Sequence, residues 1–566
     1  MNETIVKLVD FEKPGKDITY SIAEAIDYAV KNKIGTILFE PKEYLLKEYK
    51  SIETYSIAHD DGSGLIHTKD CHIILKNIEN LTLKGQVNRN GEILTVLKGF
   101  NPQISQTRLP SIIWAENCTN LRIENIAFTR SPECAASGIV DSVEGSKVTV
   151  KTFDGTSCFD GMGAYCVNKI DVKAKSLNTE SITYGFGIND RWRKVGSNIF
   201  AIENGQIADR VNSLDGLSWH QSGLTDFQMF FGDCKNLKFV NVRVENTNSF
   251  AILTEFCKNI YANGLVIKPN SNQFFTGPRD GWKIYRCRGD ILIDNCHIEG
   301  VRMDGQNIHS NFMILKERLA SNCAVFACKY APIKMENDTL FKLYNGVGTE
   351  LIKIVEWSIV GNYQEKSMQS KVEGAAKAAV GSVNNYTLYK LVFEKSMPAY
   401  ADKGTLGMPL CWEPETYKCR NTKFLNIAGA GHLLRSGNAL IENCSYKNIM
   451  NAGILMGAEL STHCEGGHAI NVKIKGCIFE NCGFKARYGQ YGRGCISIKS
   501  QGFDSAVNKN IAIEDNKFID SERAIEICNA SEVILKNNSY KNIRERVFID
   551  KKSVNNIHNL TRCTSL

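Results

Sequence analysis

The chain has 566 residues, 68 of them basic and 61 acidic, for a formal charge of +7, with 43% apolar residues, 45 glycines and 11 prolines. This composition supports a full core and excludes a disordered or collagen-like chain; no basic run is interleaved with aromatics, so nucleic acid is not an expected partner, and no apolar stretch reaches the ~18 residues of a membrane-spanning helix. Twenty cysteines behind the charged start MNETIVKLVDFEKPGKDI, where a signal peptide would carry an apolar core, predict free thiols and a cytoplasmic location, an exported protein requiring a leader that has been removed.

The first predicted element is a short helix. Ser21 and Glu24 have capping-box spacing, Ile22, Ile26, Ala29 and Val30 fall on one face, and Gly35 ends it. Thr36–Phe39 and Tyr44–Leu46 read as strands. One helix over strand-rich sequence is what a solenoid of strands needs, because its terminal rung exposes apolar surface and open backbone groups.

A repeat follows. KNIENLTLKG from Lys76, ENCTNLRIENIAF from Glu116, KNLKFVNVRVEN from Lys235 and KNIYANGLVIK from Lys258 share one plan. ALIENCSYKNI from Ala439, INVKIKGCIFENC from Ile470, KNIAIEDNKFIDS from Lys509 and SEVILKNNSYKNI from Ser531 continue it. Each has an Asn-containing turn, a short alternating strand, a second Asn-rich turn and another strand. Asn tolerates the left-handed backbone of such corners and can hydrogen-bond to its counterpart in the next coil. Cys118, Cys296, Cys444 and Cys477, at matching positions, are expected inside as small apolar residues. The fold class that follows is all-β, a right-handed parallel β-helix with an N-terminal capping helix.

Two segments break the repeat, from about Ser137 to Asp215 and from about Lys316 to Trp412. Both carry hairpin-like alternation, as in GIVDSVEGSKVTVKT, and are expected to be inserted β-barrel-like domains that wall a cleft and supply few ionisable catalytic groups. The expected organisation is therefore a cap with first strands over 1–50, coils over 51–136, an insert over 137–215, coils with the site over 216–315, a second insert over 316–412 and final coils over 413–566.

Between the inserts, GPRDGWKIYRCRGDILIDNCHIEGVRMDGQNIHS sets polar residues that no strand requires around Gly289–Ile298. Three clusters of ionisable groups stand at strand ends: Asp280-Gly281-Trp282; Met303 to His309; and Glu459 to His468, with His463 and Glu465 between. Hydrolysis of a glycosidic bond needs two carboxyl groups, one donating and one accepting a proton. Asp280, Asp304, Glu459 and Glu465 are the supply. His463 and His468 lack metal-ligand spacing, so neither a metal nor a cofactor is expected.

These motifs resemble glycoside hydrolase family 110, bacterial exo-acting α-1,3-galactosidases that are β-helices with two inserted barrels and act with inversion. The resemblance rests on Asp280-Gly281, on RGDILIDNCH from Arg288, on Asp304 to His309, and on GILMGAE from Gly453 followed by Glu465-Gly466-Gly467. The family has two adjacent aspartates where this chain has Met303 and Asp304, and an aromatic ahead of the later glutamate where His463 or Cys464 stands. The resemblance implies an exo-glycosidase acting on a terminal α-linked galactose of an oligosaccharide or glycan. Glu465 is the expected proton donor, Asp304 the base and Asp280 a second candidate base. Arg286, Asn307, His309, Arg435 and Glu459 are expected to bind the sugar, and the reading allows a homodimer. The alternatives are a β-helix polysaccharide lyase or epimerase and a non-catalytic glycan-binding β-helix.

Overall fold

The computed structural model describes residues 5–54, 67–177, 190–270, 273–329, 335–344, 349–363, 368–369, 379–380, 386–460, 463–484, 492–550 and 554–559. Parts of both predicted inserts and of the last predicted coils, and Ser461 and Thr462 of the third cluster, lie outside the described residues.

The chain winds into a right-handed parallel β-helix with three faces. The first face is one sheet of thirteen strands, from Ile5–Lys7 through Lys258–Asn263, Arg288–Asp294 and Pro414–Arg420 to Val554–Asn559. The second stacks short strands such as Val266–Ile267, His297–Glu299 and Lys423–Ile427. The third stacks Phe250–Glu255, Trp282–Tyr285, Gln306–Asn311, His432–Leu434 and Ile454–Met456.

Corners are built as the repeat requires. Asn80, Asn120, Asn236 and Asn259 all have φ near +55° to +59°. Asn120, Asn236 and Asn259 each donate the side-chain amide to the Asn one coil back, at 2.7, 2.8 and 3.0 Å. Asn438, Asn471 and Asn510 repeat the ladder further on. Inside, Cys118, Cys296, Cys444 and Cys477 are buried and, like every described cysteine, unpaired. Phe424, Tyr446, Phe479, Phe518 and Tyr540 stack face to face with centroids 4.7–5.5 Å apart, a column that only parallel, in-register strands can form.

The capping helix is present but starts earlier than expected. It spans Ile18–Lys31, with Asp17 as N-cap accepting the Thr19 N–H at 3.0 Å. Asp17 displaces Ser21 from that role because its carboxylate takes both the N–H and the hydroxyl of Thr19, leaving Ser21 buried inside the helix. Ile22, Ala25, Ile26 and Ala29 cover the first coils, whereas Val30 turns outward and is 47% exposed. Asn32 is the C-cap, ahead of Gly35.

Both interruptions are antiparallel. The first runs from Ala135–Glu144 to Gly216–His220 in an eight-stranded sheet, and Ala135 pairs with His220, so the chain leaves and rejoins the solenoid at adjacent points. Its first hairpin turns through Gly145 (φ 61°) and Ser146. The second is a closed six-stranded barrel of Met313–Ala320, Cys323–Lys329, Tyr386–Phe393, Thr349–Tyr363, Leu340–Tyr344 and Leu406–Pro409. Met313 pairs with Gly407 at its neck.

Candidate active site

The site grows out of alternation on the third face. Trp282, Ile284, Ile308 and Leu434 point into the core. The residues between them point outward in register: Lys283 beside Asn307 and Leu433, and Glu255 beside Tyr285 and His309. Outward residues of a solenoid normally meet water. Here Lys283, Tyr285, Asn307 and His309 are all at most 5% exposed, making this strip a covered floor.

Asp280 and Asp304 occupy equivalent positions in successive coils, just before the strands Trp282–Tyr285 and Gln306–Asn311. In the next two coils the position holds Ala430 and Ala452. Asp280 is 2% exposed and accepts the Asp304 N–H at 3.2 Å and the Asn307 amide at 3.1 Å. Asp304 is more open and accepts the Ala430 N–H at 2.7 Å. Burial first, and then the neighbouring Asp304 charge, push Asp280 up to about 7. The two carboxyl groups titrate as a coupled pair, the Asp304 charge helping to keep the proton on Asp280. Met303, beside them, receives the Arg279 guanidinium on its sulfur at 3.4 Å.

Glu465 reaches the floor from elsewhere. The residues following Ile454–Met456 fold back so that Glu465–Gly466 runs antiparallel to Gln306–Asn311, pairing Glu465 with Asn311. The Glu465 carboxylate makes an ion pair with Arg435 and lies 3.7 Å from His309 Nε2. His309 is held neutral by burial and by Lys283 and Arg435. Its Nδ1 faces the Ser310 carbonyl at 2.9 Å, which keeps the proton there and leaves Nε2 as an acceptor. Two acceptors therefore confront each other, and neither His309 Nε2 nor the buried Asn307 Oδ1 has a donor among the described residues. Hydroxyl groups are the kind of donor that such acceptors take.

Two expected sugar-binding residues are instead taken up internally. Arg286 is 1% exposed, lies over Tyr285 at 4.2 Å and Trp412 at 5.0 Å, and donates to Asn311 Oδ1 at 2.7 Å. Its backbone is left-handed (φ 52°), and its guanidinium also lies 3.8 Å from the buried Glu255. Glu459 is 1% exposed and accepts the His463 N–H at 2.8 Å, fixing the chain that carries Glu465. His463 is held neutral, down to about 3, by burial and then by Lys329 and Lys283. Asp280, Asp304, Asn307, His309, Arg435 and Glu465 do come together.

Sequence reasoning passed over Lys283, Lys329 and Gly429. Lys283 is buried beside the Tyr285 ring at 5.3 Å, its charge disfavoured by burial, Arg435 and Arg286. The signal was a lysine alternating with Trp282 and Ile284, which marks the outward face. Lys329 belongs to the barrel, and its backbone carbonyl accepts Arg286. Among the described residues no group of three or more His, Cys, Asp or Glu could hold a metal ion.

A family model described as "Right handed beta helix region" matches residues 410–564. The chain is 22% identical over 545 residues to α-1,3-galactosidase B of Bacteroides thetaiotaomicron, covering 88% of this chain and 79% of that one. It is 20% identical over 507 residues to α-1,3-galactosidase A of Shewanella woodyi, covering 85% and 77%. Its similarity to α-1,3-galactosidase A of Bacteroides fragilis, 22% over 301 residues, spans 51% of this chain and 46% of the relative. Among solved structures, an A-module of an Azotobacter vinelandii mannuronan C-5 epimerase aligns with a TM-score of 0.39 at 10% identity, covering 98% of this chain and 99% of that one. The tailspike protein of E. coli bacteriophage HK620 in complex with pentasaccharide aligns with a TM-score of 0.43 at 12% identity, covering 98% and 65%.

Proposed function

We propose that this chain is an exo-glycosidase that hydrolyses terminal α-linked galactose, or a close relative of that sugar, from an oligosaccharide with inversion. One observation carries the reading: a buried floor of acceptors without donors, Asn307 Oδ1 and His309 Nε2, lies between two acid groups. A ring of hydroxyl donors fits that floor. Same-face neighbours on a strand are about 7 Å apart. The Asp280–Asp304 pair gathers at the Asn307 end and Glu465 at the His309 end, and this placement of acid groups at opposite ends of the step supports an inverting rather than a retaining reaction. The similarity to proteins named α-1,3-galactosidases supports the choice of sugar.

The proton inventory assigns the roles, and it exchanges those expected from sequence. Burial and the Asp304 charge raise Asp280 to about 7, which makes the Asp280–Asp304 end the donor side, with the more open Asp304 the group that faces the leaving oxygen. Glu465, held beside Arg435, stays ionised and is the base. In the reaction Glu465 takes a proton from water as its oxygen bonds to the anomeric carbon. The bond from that carbon to the glycosidic oxygen breaks, and the proton of the pair passes to the leaving oxygen. Asn307 and His309 accept sugar hydroxyls. Screening p-nitrophenyl glycosides and α-1,3-linked galactose oligosaccharides, with the first-formed anomer read by NMR, tests this. Released β-galactose is expected; no hydrolysis of any α-galactoside would end the reading.

A lyase or epimerase acting on a uronic acid is the second reading, favoured by the buried Lys283 beside the floor, which would meet a sugar carboxylate. An unsaturated product absorbing in the ultraviolet would select a lyase, and inversion at C5 of an unbroken polymer an epimerase.

A further inference from the structure

A second cavity, of about 530 Å³, lies where the barrel overhangs the first face, lined by barrel strand Leu340–Tyr344, the turn Leu410–Trp412 and coils of the solenoid. It is separate in composition from the floor described above, sharing none of Asp280, Asp304, Asn307, His309 or Glu465.

Its charges balance. Lys258, Arg288 and Lys342 face it with Glu336, Glu413 and Glu415. Lys342 pairs with the 8%-exposed Glu413, and Arg288 with Glu336 at 2.6 Å. An ion would gain little from such a wall, whereas a neutral ligand with many hydroxyls would find donors and acceptors already held in place. At this point the corner ladder changes from Asn to other polar residues. Between Asn259 and Asn438 the two coils carry Asp290, whose N–H donates to Asn259 Oδ1 at 3.1 Å, and Thr416, whose hydroxyl donates to Asp290 at 2.7 Å, while Asn438 accepts from Asn471 and its own amide donates to no described residue. At the inner end stands His468, 5% exposed, its ring against Phe312, Tyr344 and Phe503 at 5.0–5.6 Å. Neither of its nitrogens has a partner among the described residues. A buried imidazole left unsatisfied is a cost that an entering hydroxyl relieves.

We infer that this crevice is a second, non-catalytic binding site for a neutral sugar unit of a glycan, set between barrel and solenoid. Its volume exceeds one sugar ring and suits a short neutral oligosaccharide.

The test uses the full chain carrying Asp304→Asn, so that turnover of the disaccharide is slowed at least 100-fold, titrated calorimetrically with α-1,3-galactobiose and, as a charged control, galacturonic acid. Two binding events are expected for the disaccharide. Leu410→Trp, at the crevice rim, and His468→Phe, which keeps the ring packing and removes the nitrogens, should each weaken one event at least tenfold. In the otherwise native chain both should leave hydrolysis of aryl α-galactosides within twofold. Unliganded His468→Phe should melt no lower than the parent. A single event in the parent, two undisturbed events in both variants, or galacturonic acid binding lost on Leu410→Trp would overturn the proposal. Crevice binding without any hydrolysis would leave this site standing and remove only the function proposed above.

Discussion

Gly429 is the most informative position to perturb, because its lack of a side chain sets where Asp304 can stand. A Cβ there would lie 2.5 Å from Asp304 Oδ1, 2.5 Å from the Met303 carbonyl carbon and 2.6 Å from its oxygen. Ordinary contact begins at 3.4 Å, so Gly429→Ala demands a shift of about 0.9 Å. Two of the three atoms are backbone, so no flexible side chain can absorb it. The Ala430 N–H that Asp304 accepts at 2.7 Å is on the same segment and moves with it. Displacing a reacting group by about 1 Å costs on the order of 100-fold in rate, or about 2.7 kcal/mol of transition-state stabilisation. Overpacking of this kind costs roughly 1–3 kcal/mol of fold stability, which a domain of this size survives. The assay is kcat/KM on an α-galactoside, with circular dichroism and a thermal melt alongside. Gly431→Ala is the control: its Cβ would meet the Gly453 carbonyl at 2.6 Å and the Tyr446 ring at 2.7 Å, inside the core. It should lower the melting temperature by as much while costing far less activity. A folded Gly429→Ala with native kcat/KM would refute the placement of Asp304 at the reacting centre.

Asp304→Asn should slow poor leaving groups at least 100-fold while sparing activated aryl galactosides, whereas Glu465→Gln should slow both alike and respond to added azide. The reverse pattern would restore the roles expected from sequence. Asp280 titrates near 7 against an ordinary 3.8, so hydrolysis of natural substrates should fall as pH rises through 7, and Asp280→Asn should change that limb. The same shift acts on stability. Protonated Asp280 costs nothing at low pH, and stability is lost as pH rises from about 4 through 7, by at most about 4 kcal/mol. Asp280→Asn should flatten that slope in urea titrations, and an unchanged slope would count against the raised value. Asn120→Ala removes one rung that accepts from Asn236 and donates to Asn80 and puts alanine at φ 55°, so it should cost about 2–3 kcal/mol, with Asn120→Gly costing less. Equal losses in the two variants would mean that backbone strain plays no part.

The solenoid was legible because its determinants are local. A left-handed corner selects Asn within a few residues, and inward alternation selects Ile, Cys and Phe within one strand. The proximity of Asp280 and Asp304 was legible for the same reason, since they are one coil apart. Glu465 beside His309 was not: the two meet only because the chain after Met456 folds back antiparallel onto Gln306–Asn311, a pairing with no period to betray it. The burial of Arg286 depended on Trp412 arriving from beyond the barrel. At the helix start the capping-box spacing of Ser21 and Glu24 yielded to Asp17, four residues earlier, whose carboxylate takes the N–H and the hydroxyl of Thr19.

Stacked coils also act as a ruler. Groups on neighbouring rungs stand one inter-strand spacing apart, about 4.8 Å, and groups along a rung stand about 7 Å apart on one face. Asp280 and Asp304 are set by the first interval, and Asn307 and His309 by the second. Side-chain exchange can therefore alter what chemistry a grid point offers, as at Met303, but cannot move it by a fraction of a step. Distances between the acid groups change only when a rung is gained or lost, or when a segment outside the grid, such as the one bearing Glu465, is rebuilt. A cleft on this scaffold should therefore diversify in jumps, with its overhanging pieces supplying the fine adjustment that the lattice forbids.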